Sequence, residues 1–329
     1  MDSMKKIYHF ISTMKTGLML LVLLGLAAAM GRVIFPDSFS HAILFKMLLL
    51  LLLINMTCCT INRIIWFKSV FIYKRRKGFL KQFGILLLHA GIVLIMIGGV
   101  IFSCYGGSEQ IQIVKHETKD ISHVIKTNQV KPISMHLDDF KIEFNDDGSA
   151  SQYYSFLTLL EDGQTKEKAV ISVNHPLNCG GVKAYQMSFG YKVKVKHINS
   201  EGMETEDLFN EGDVLKIPGT ERVVKIFRYI PNFDPAHGMT SITMRSDNPR
   251  IIFSVYENNN LLGVGAVEFG ERVEIDNNVF AVFTGVEPYT VLCVKSDPGL
   301  PMVLSGGVMF MLGVCLALLT SHSKKAVRK

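Results

Sequence analysis

The chain has 329 residues, 48% of them hydrophobic, with a mean hydropathy of +0.27 and a formal net charge of +6. This is too apolar for an ordinary soluble domain, and the apolar residues are clustered rather than spread. The positive charge is no nucleic-acid signature, because the basic residues that produce it sit at the ends of the apolar stretches.

Those stretches are Thr16–Phe35, Ala42–Ile61, Phe83–Phe102 and Leu300–Thr320, with Arg32 and Lys46 as their only charges. Each is about 20 residues long, enough at about 1.5 Å rise per residue to cross a hydrocarbon core. Residues 1–103 therefore read as a membrane part with three transmembrane helices at about 14–35, 42–62 and 79–103. Residues 300–329 read as a fourth helix and a basic tail. The first stretch, with Lys5, Lys6 and Lys15 before it and Ala27-Ala28-Ala29 near its end, also has the pattern of a cleavable signal peptide. Continued apolar character through Val33-Ile34-Phe35 favours an uncleaved helix. The link between spans two and three carries Arg63, Lys68, Lys74, Arg75, Arg76, Lys77 and Lys81 with no acid. The tail carries Lys324, Lys325, Arg328 and Lys329. The positive-inside rule makes these segments, and both termini, cytoplasmic. Lys46 near the outer end of span two reads as a snorkelling side chain.

Residues 104–299 are then an extracytoplasmic domain. From 104 to 300 there are 19 Lys and Arg against 27 Asp and Glu, a net of −8. The pattern is one of alternation: Ile133, Met135 and Leu137, then Phe140, Ile142 and Phe144, then an Asn145-Asp146-Asp147-Gly148 turn and a return strand from Tyr153 to Leu160. Tyr191, Val193 and Val195 alternate with lysines, and Ile251–Tyr256 and Leu261–Phe269 flank an Asn258-Asn259-Asn260 turn. A period of two punctuated by Gly, Asn and Asp predicts antiparallel sheet, in a sandwich or barrel-like domain of open topology. Asp297-Pro298-Gly299 breaks the last strand before span four. The fold class is thus a membrane protein with four transmembrane α-helices and a large, predominantly antiparallel β domain inserted between helices three and four.

Six cysteines form no evident framework: Cys58, Cys59 and Cys315 lie in spans, and Cys104, Cys179 and Cys293 outside. With neither C-x-x-C nor C-x-x-C-H, the chain is neither a thioredoxin-like dithiol nor a c-type cytochrome, and the thiols read as small buried apolar groups. The histidines at 116, 123, 136, 175, 197 and 237 show no metal-ligand spacing and read as surface or turn residues; His9, His41 and His322 read as interfacial. No nucleophile elbow, Walker A loop or dinucleotide fingerprint is present.

The residue that stands out is His89, in Gly84-Ile-Leu-Leu-Leu-His89-Ala-Gly91. If its helix starts near Phe79, His89 lies roughly 15 Å deep, where an ionisable side chain is costly and faces protein or a cavity. Neutral imidazole is also a good axial ligand for haem iron. Gly84, Gly91 and Gly98 share one face, suited to close helix packing, and His89 lies about 160° from Gly91. Two readings stay open: His89 faces a ligand or partner subunit, or it is held by a helix carbonyl for structural reasons.

Several segments resemble the ResB/CcsB family, the membrane subunit of System II cytochrome c maturation. They are Ser12 to Gly31 with a Gly31-x-x-x-x-Pro36 exit, Asn55-x-x-x-Cys59-Thr60-x-x-Arg63, and Leu88-His89-Ala90-Gly91 before Gly98-Gly99. In the outer segment they are Leu137-x-x-Phe140-x-Ile142-x-Phe144, Tyr154-Ser155, Val173-Asn174-His175-Pro176-Leu177 and Tyr185-Gln186-Met187-Ser188, then Pro231-x-Phe233, Asn248-Pro249 and Asp297-Pro298-Gly299. The resemblance implies a chain in the bacterial cytoplasmic (inner) membrane that works with a CcsA/ResC-type subunit. It also implies transport of haem b, as a transient cargo, for covalent attachment to C-x-x-C-H thiols of apocytochrome c. The family's transmembrane haem-binding histidine looks like His89. Two departures matter. Ser38-Phe39-Ser40-His41-Ala42 stands where the family carries aromatics, and Trp66 is the only tryptophan, so the partner's tryptophan-rich outer haem motif is absent. The chain is thus not expected to complete ligation alone. The alternative function is a membrane-anchored structural or sensing protein whose β domain binds a partner.

Overall fold

A computed structural model describes residues 2–34, 43–72, 79–125, 131–199 and 201–326. Pro36, the Ser38–Ala42 stretch with His41, the Lys74–Lys77 run and the last two basic residues, Arg328 and Lys329, lie outside the described residues. So do the side chains of Arg32, His322, Lys324 and Lys325. The chain divides into two compact units, Met1–Gly106 with Asp297–Lys329, and Gly107–Ser296.

The first unit is helical: α1 (Asp2–Ile11), α2 (Met14–Ile34), α3 (Ile43–Ile72), α4 (Phe79–Tyr105) and α5 (Leu300–Ala326). Helices α2 to α5 are long and apolar enough to cross a membrane. Two boundaries differ from expectation. Helix α3 continues ten residues past 62, because Ile64-Ile65-Trp66-Phe67 maintains an apolar helical run through Arg63 and Lys68. At about 1.5 Å per residue its length is roughly 45 Å, more than a hydrocarbon core needs. Helix α4 reaches Tyr105, so Cys104 lies on its last turn. Helix α1 was not expected; it is amphipathic, with Lys5 and Lys6 beside exposed Ile7 and Phe10.

Helices α4 and α5 meet backbone to backbone. Gly84, Gly91 and Gly98 are the buried residues of α4. Their counterparts form a second run spaced by seven, Gly313, Gly306 and Gly299, in antiparallel order. A β-carbon at Gly91 would lie 2.6 Å from the Gly306 carbonyl oxygen and 2.7 Å from the Phe310 nitrogen. One at Gly306 would lie 2.6 Å from the Gly91 oxygen, and one at Gly313 2.7 Å from the Gly84 oxygen. Small residues permit this approach, which supplies dispersion and weak Cα–H···O contacts where lipid removes any hydrophobic incentive to associate.

In the second unit every strand pairing within the sheets is antiparallel. The strands are β1 (Gly107–Val114), β2 (Thr118–Asp120), β3 (Ile133–Phe144), β4 (Ala150–Glu161), β5 (Gln164–Ser172), β6 (Leu177–Cys179) and β7 (Val182–Ile198). They continue with β8 (Glu204–Phe209), β9 (Val214–Lys216), β10 (Arg222–Ile230), β11 (Arg250–Glu257), β12 (Asn260–Val267), β13 (Arg272–Asp276) and β14 (Val279–Ser296). The spine is the long pair β7–β14, within a sheet ordered β1-β14-β7-β6 to which β8 and β13 also pair. Two four-stranded sheets, β2-β3-β4-β5 and β12-β11-β10-β9, complete the unit. The Asn258-Asn259 turn has φ of 49° and 66°, the left-handed pair that a tight β11–β12 hairpin requires.

Both four-stranded sheets supply a core with residues from the spine. Leu292, Val294, Val182 and Ala184 pack with β3–β5 residues such as Met135 and Leu157. Phe283, Ala281, Val193 and Val195 pack with β10 and β11 residues such as Ile226 and Ile251. Strict alternation could not keep these residues on one face, because odd positions of β14 are buried up to Phe283 and even ones at Leu292 and Val294. Bulges between Phe283 and Gly285 and, opposite Val291/Leu292, at Met187 absorb one residue each and restore the inward face. Between the cores runs an aromatic chain, with Tyr153–Phe189 centroids 5.0 Å apart, Phe189–Tyr191 6.1 Å and Tyr191–Tyr229 5.0 Å. Burial pushes the Tyr191 phenol up to about 12 and that of Tyr229 upward, so both stay neutral core rings.

The glycine seam gives a direct expectation. Gly91→Leu forces backbone apart and lowers the melting temperature of the detergent-solubilised protein, at a cost of about 3 kcal/mol, the upper end for overpacking. Gly99→Leu, where an added β-carbon meets nothing within 4 Å, leaves it unchanged. Equal melting of the two variants in a thermal-shift assay would contradict the seam.

Candidate functional site

His89 sits on the α4 face away from the glycine seam. Its Nδ1 lies 2.8 Å from the Ile85 carbonyl oxygen, one turn earlier. A carbonyl only accepts, so Nδ1 carries the proton and donates, and the neutral ring keeps its lone pair on Nε2. Nε2 has no partner among the described residues. This is the arrangement in which a second hydrogen bond orients an imidazole and fixes its tautomer for ligation. The carbonyl bond expected by the structural reading is therefore present, and it leaves the other nitrogen available.

His89 borders a cleft of about 680 Å³ walled by α2, α3, α4 and the α1–α2 elbow. It is half-buried and shares this cleft with residues of α2 and α3. The volume falls within the roughly 300–1,000 Å³ range of ligand pockets. Leu18, Leu21, Met56, Ile85 and Trp66 provide apolar wall, while Asn62 and Arg63 make one end polar. Arg63 Nη1 donates to Gln82 Oε1 at 3.2 Å, which puts the guanidinium level with the start of α4. No cluster of three or more His, Cys, Asp or Glu suited to a metal ion occurs among the described residues.

The far wall depends on Asn55, only 1% exposed. Its Nδ2 donates to the carbonyls of Ile11 and, at 3.2 Å, Thr13, which belong to the elbow where the helical ladder breaks. Oδ1 lies against Gly17, where a β-carbon would be 2.5 Å away, so glycine is needed there. One turn along α3, Cys59 Sγ donates to the Ser12 carbonyl at 3.2 Å. Thr13 Oγ1 accepts from the Thr16 amide as the N-cap of α2, and Tyr8 donates to Asn62 Oδ1 at 2.7 Å. Asn55-x-x-x-Cys59 is thus a spacing of one helical turn that pins the elbow and fixes the cleft wall. The sequence shows the spacing, but the partners are backbone carbonyls and carry no side-chain signal.

The outer-unit segments that support the family resemblance converge elsewhere. Ser155, Gln186 and Thr290 close a buried ring of hydrogen bonds at 2.7, 2.9 and 2.7 Å. Asn174 takes φ of 67° in a turn where Ser172 and His175 exchange backbone hydrogen bonds. These groups hold β4, β7 and β14 together and present no catalytic constellation. His123 contacts Glu109, and His136 lies 2.9 Å from Thr118 Oγ1, as surface residues do. His197 departs from that reading: it is 8% exposed, with Nδ1 unpartnered and Nε2 3.5 Å from Asp207. All six cysteines are free, and only Cys293 is buried; Cys104 and Cys315 are exposed on apolar helices, whose outer surfaces need no protein cover. Burial and neighbouring Glu167 push the Cys179 thiol up, away from a reactive thiolate.

The ResB-like family profile matches residues 74–286. The cytochrome c biogenesis protein CcsB of a Picosynechococcus strain is 27% identical over 253 residues, 74% of this chain and 51% of that protein. Ccs1 of Porphyra purpurea is 27% identical over 260 residues, 76% of this chain and 54% of its own length. Chloroplastic CCS1 of Oryza sativa is 27% identical over 257 residues, 75% and 44% respectively. The chain spans about half the length of the curated relatives it matches.

The elbow clamp is testable. Asn55→Leu strands the Ile11 carbonyl in an apolar setting, while the Thr13 carbonyl keeps the Gly17 amide at 3.2 Å, a loss of about 1–3 kcal/mol for the group left unpaired. Hydrogen exchange at residues 12–17 should rise clearly in Asn55→Leu and little in Asn62→Ala, which removes an exposed bond.

Proposed function

The chain belongs to the ResB-like family, and from that premise we propose that it acts in cytochrome c maturation, taking haem b as a transient cargo within the membrane. The observation that carries this reading is the His89 imidazole, oriented by Ile85 with Nε2 left for a ligand on the wall of a ligand-sized cleft. Iron–imidazole ligation is the chemistry that such a nitrogen offers. Relatives of similar sequence are named for cytochrome c biogenesis, which supports the same process.

In this proposal the helical unit, multi-pass in the bacterial cytoplasmic membrane, receives haem from the inner side. The domain organisation is a membrane part to 103, an extracytoplasmic β domain over 104–299, and a final helix with a cytoplasmic tail. The basic links orient the chain with both termini inside. A CcsA/ResC-type membrane subunit completes the site and performs attachment to the C-x-x-C-H thiols of apocytochrome c. No catalytic group is assigned to this chain; its part is to bind and orient.

The test is spectroscopic. The complex of this chain with its CcsA/ResC-type partner, purified in detergent, should carry a Soret band. His89→Gly should lose or shift it, and millimolar imidazole should restore it by replacing the missing side chain. Absence of haem from the wild-type complex, or unchanged ligation in His89→Gly, would leave the imidazole with only its structural bond to Ile85.

A further inference from the structure

We infer that Arg63 is the carboxylate anchor of the same cleft, so that its ligand lies with an acidic edge at the Arg63 end and its centre beside His89. The inference rests on the haem reading above and adds an orientation to it.

Three observations carry it. Arg63 and His89 line one cleft, with Met56 and Ile85 on the wall between them beside Cys59 and Asn62, and Trp66 one turn beyond Arg63. Arg63 is level with Gln82 through its 3.2 Å bond, and Gln82 precedes His89 by seven residues, roughly 10 Å along the helix. That separation suits a flat macrocycle bound at its centre with acidic arms reaching one rim. Third, among the described residues Arg63 makes no ion pair and none that lines the cleft is an acid. In sequence the helical unit holds only Asp2, Asp37 and Asp297 as acids. Gln82 occupies one N–H of a guanidinium that offers five in a fork matched to carboxylates. A cation at the margin of an apolar span is stable when it meets an anion, and this one opens onto a cavity that contains none.

The rival is a bond from Arg63 to lipid phosphate, with no role for the cleft. The two differ in which ligand they distinguish. The experiment uses the full chain with its CcsA/ResC-type partner, depleted of haem and titrated with haem or with its dimethyl ester, in which both carboxylates are blocked. Wild type should bind haem more tightly than the diester. Arg63→Gln should weaken haem binding about tenfold or more and leave the diester unchanged; Arg63→Lys, which keeps the charge, should fall between. Haem binding equal to wild type in Arg63→Gln overturns the anchor while the His89 reading stands. Equal loss of haem and diester also overturns it, in favour of a structural or lipid-facing arginine, and Arg63→Lys then serves as the folded comparison. No haem in the wild-type complex overturns both.

Discussion

The helical unit depends on backbone contact between α4 and α5. Three glycine pairs bring the backbone of one helix against that of the other, with Leu316, Val303, Ile95 and Leu88 closing in beside them. In lipid such contact provides association energy that apolar burial cannot, because a leucine gains little by exchanging a lipid tail for another leucine. A consequence follows for the rest of α4. With one face committed to α5, the opposite face is left to carry a ring. His89 is there, in a helix whose rotation the seam has already set.

The cleft is built by a similar economy of groups. Asn55 and Cys59, one turn apart, hold the elbow between α1 and α2 by its carbonyls, and the elbow becomes a wall. Ile85 spends a carbonyl lone pair on the His89 ring and so decides which nitrogen is basic. In both cases a side-chain donor is taken up by a main-chain oxygen, at the break between α1 and α2 and on the second lone pair of a carbonyl inside α4. Polar groups are thereby placed in an apolar surrounding without ions to balance, which is the inexpensive way to do it. Among the described residues that line the cleft, Arg63 is the one formal charge that this pattern leaves unbalanced.

The four spans and the antiparallel character of the inserted domain were legible in the sequence, because hydropathy and alternation are direct consequences of lipid and sheet geometry. So was the α4 glycine face. The matching glycines at 299, 306 and 313 were equally visible, and only the comparison of two segments two hundred residues apart would have joined them. The sequence puts the second span at about 42–62 while α3 runs on to Ile72, because charges mark the limit of a span but not of a helix. Sheet topology was not legible: the two bulges of the β7–β14 pair shift the inward parity, so a strict period of two assigns opposite faces to Phe283 and Leu292. The sequence places His89 opposite the glycine face; that α2 and α3 wall a cleft beside it depends on carbonyl partners that no residue pattern announces.

Each unit also brings its own ends together. In the helical unit Gly98 touches Gly299, and in the β unit Gly107 is paired with Ser296 in the first register position of β1 and β14. The chain thus leaves a helical hairpin and rejoins it with the long excursion already closed on itself, so the entropy of that large loop is met inside the β unit and not charged to the helix pair. Such a layout is modular in the genetic sense. A segment whose termini are neighbours is grafted into, enlarged within or deleted from a hairpin without displacing the helices that flank it, so the two units are free to change in size at different rates.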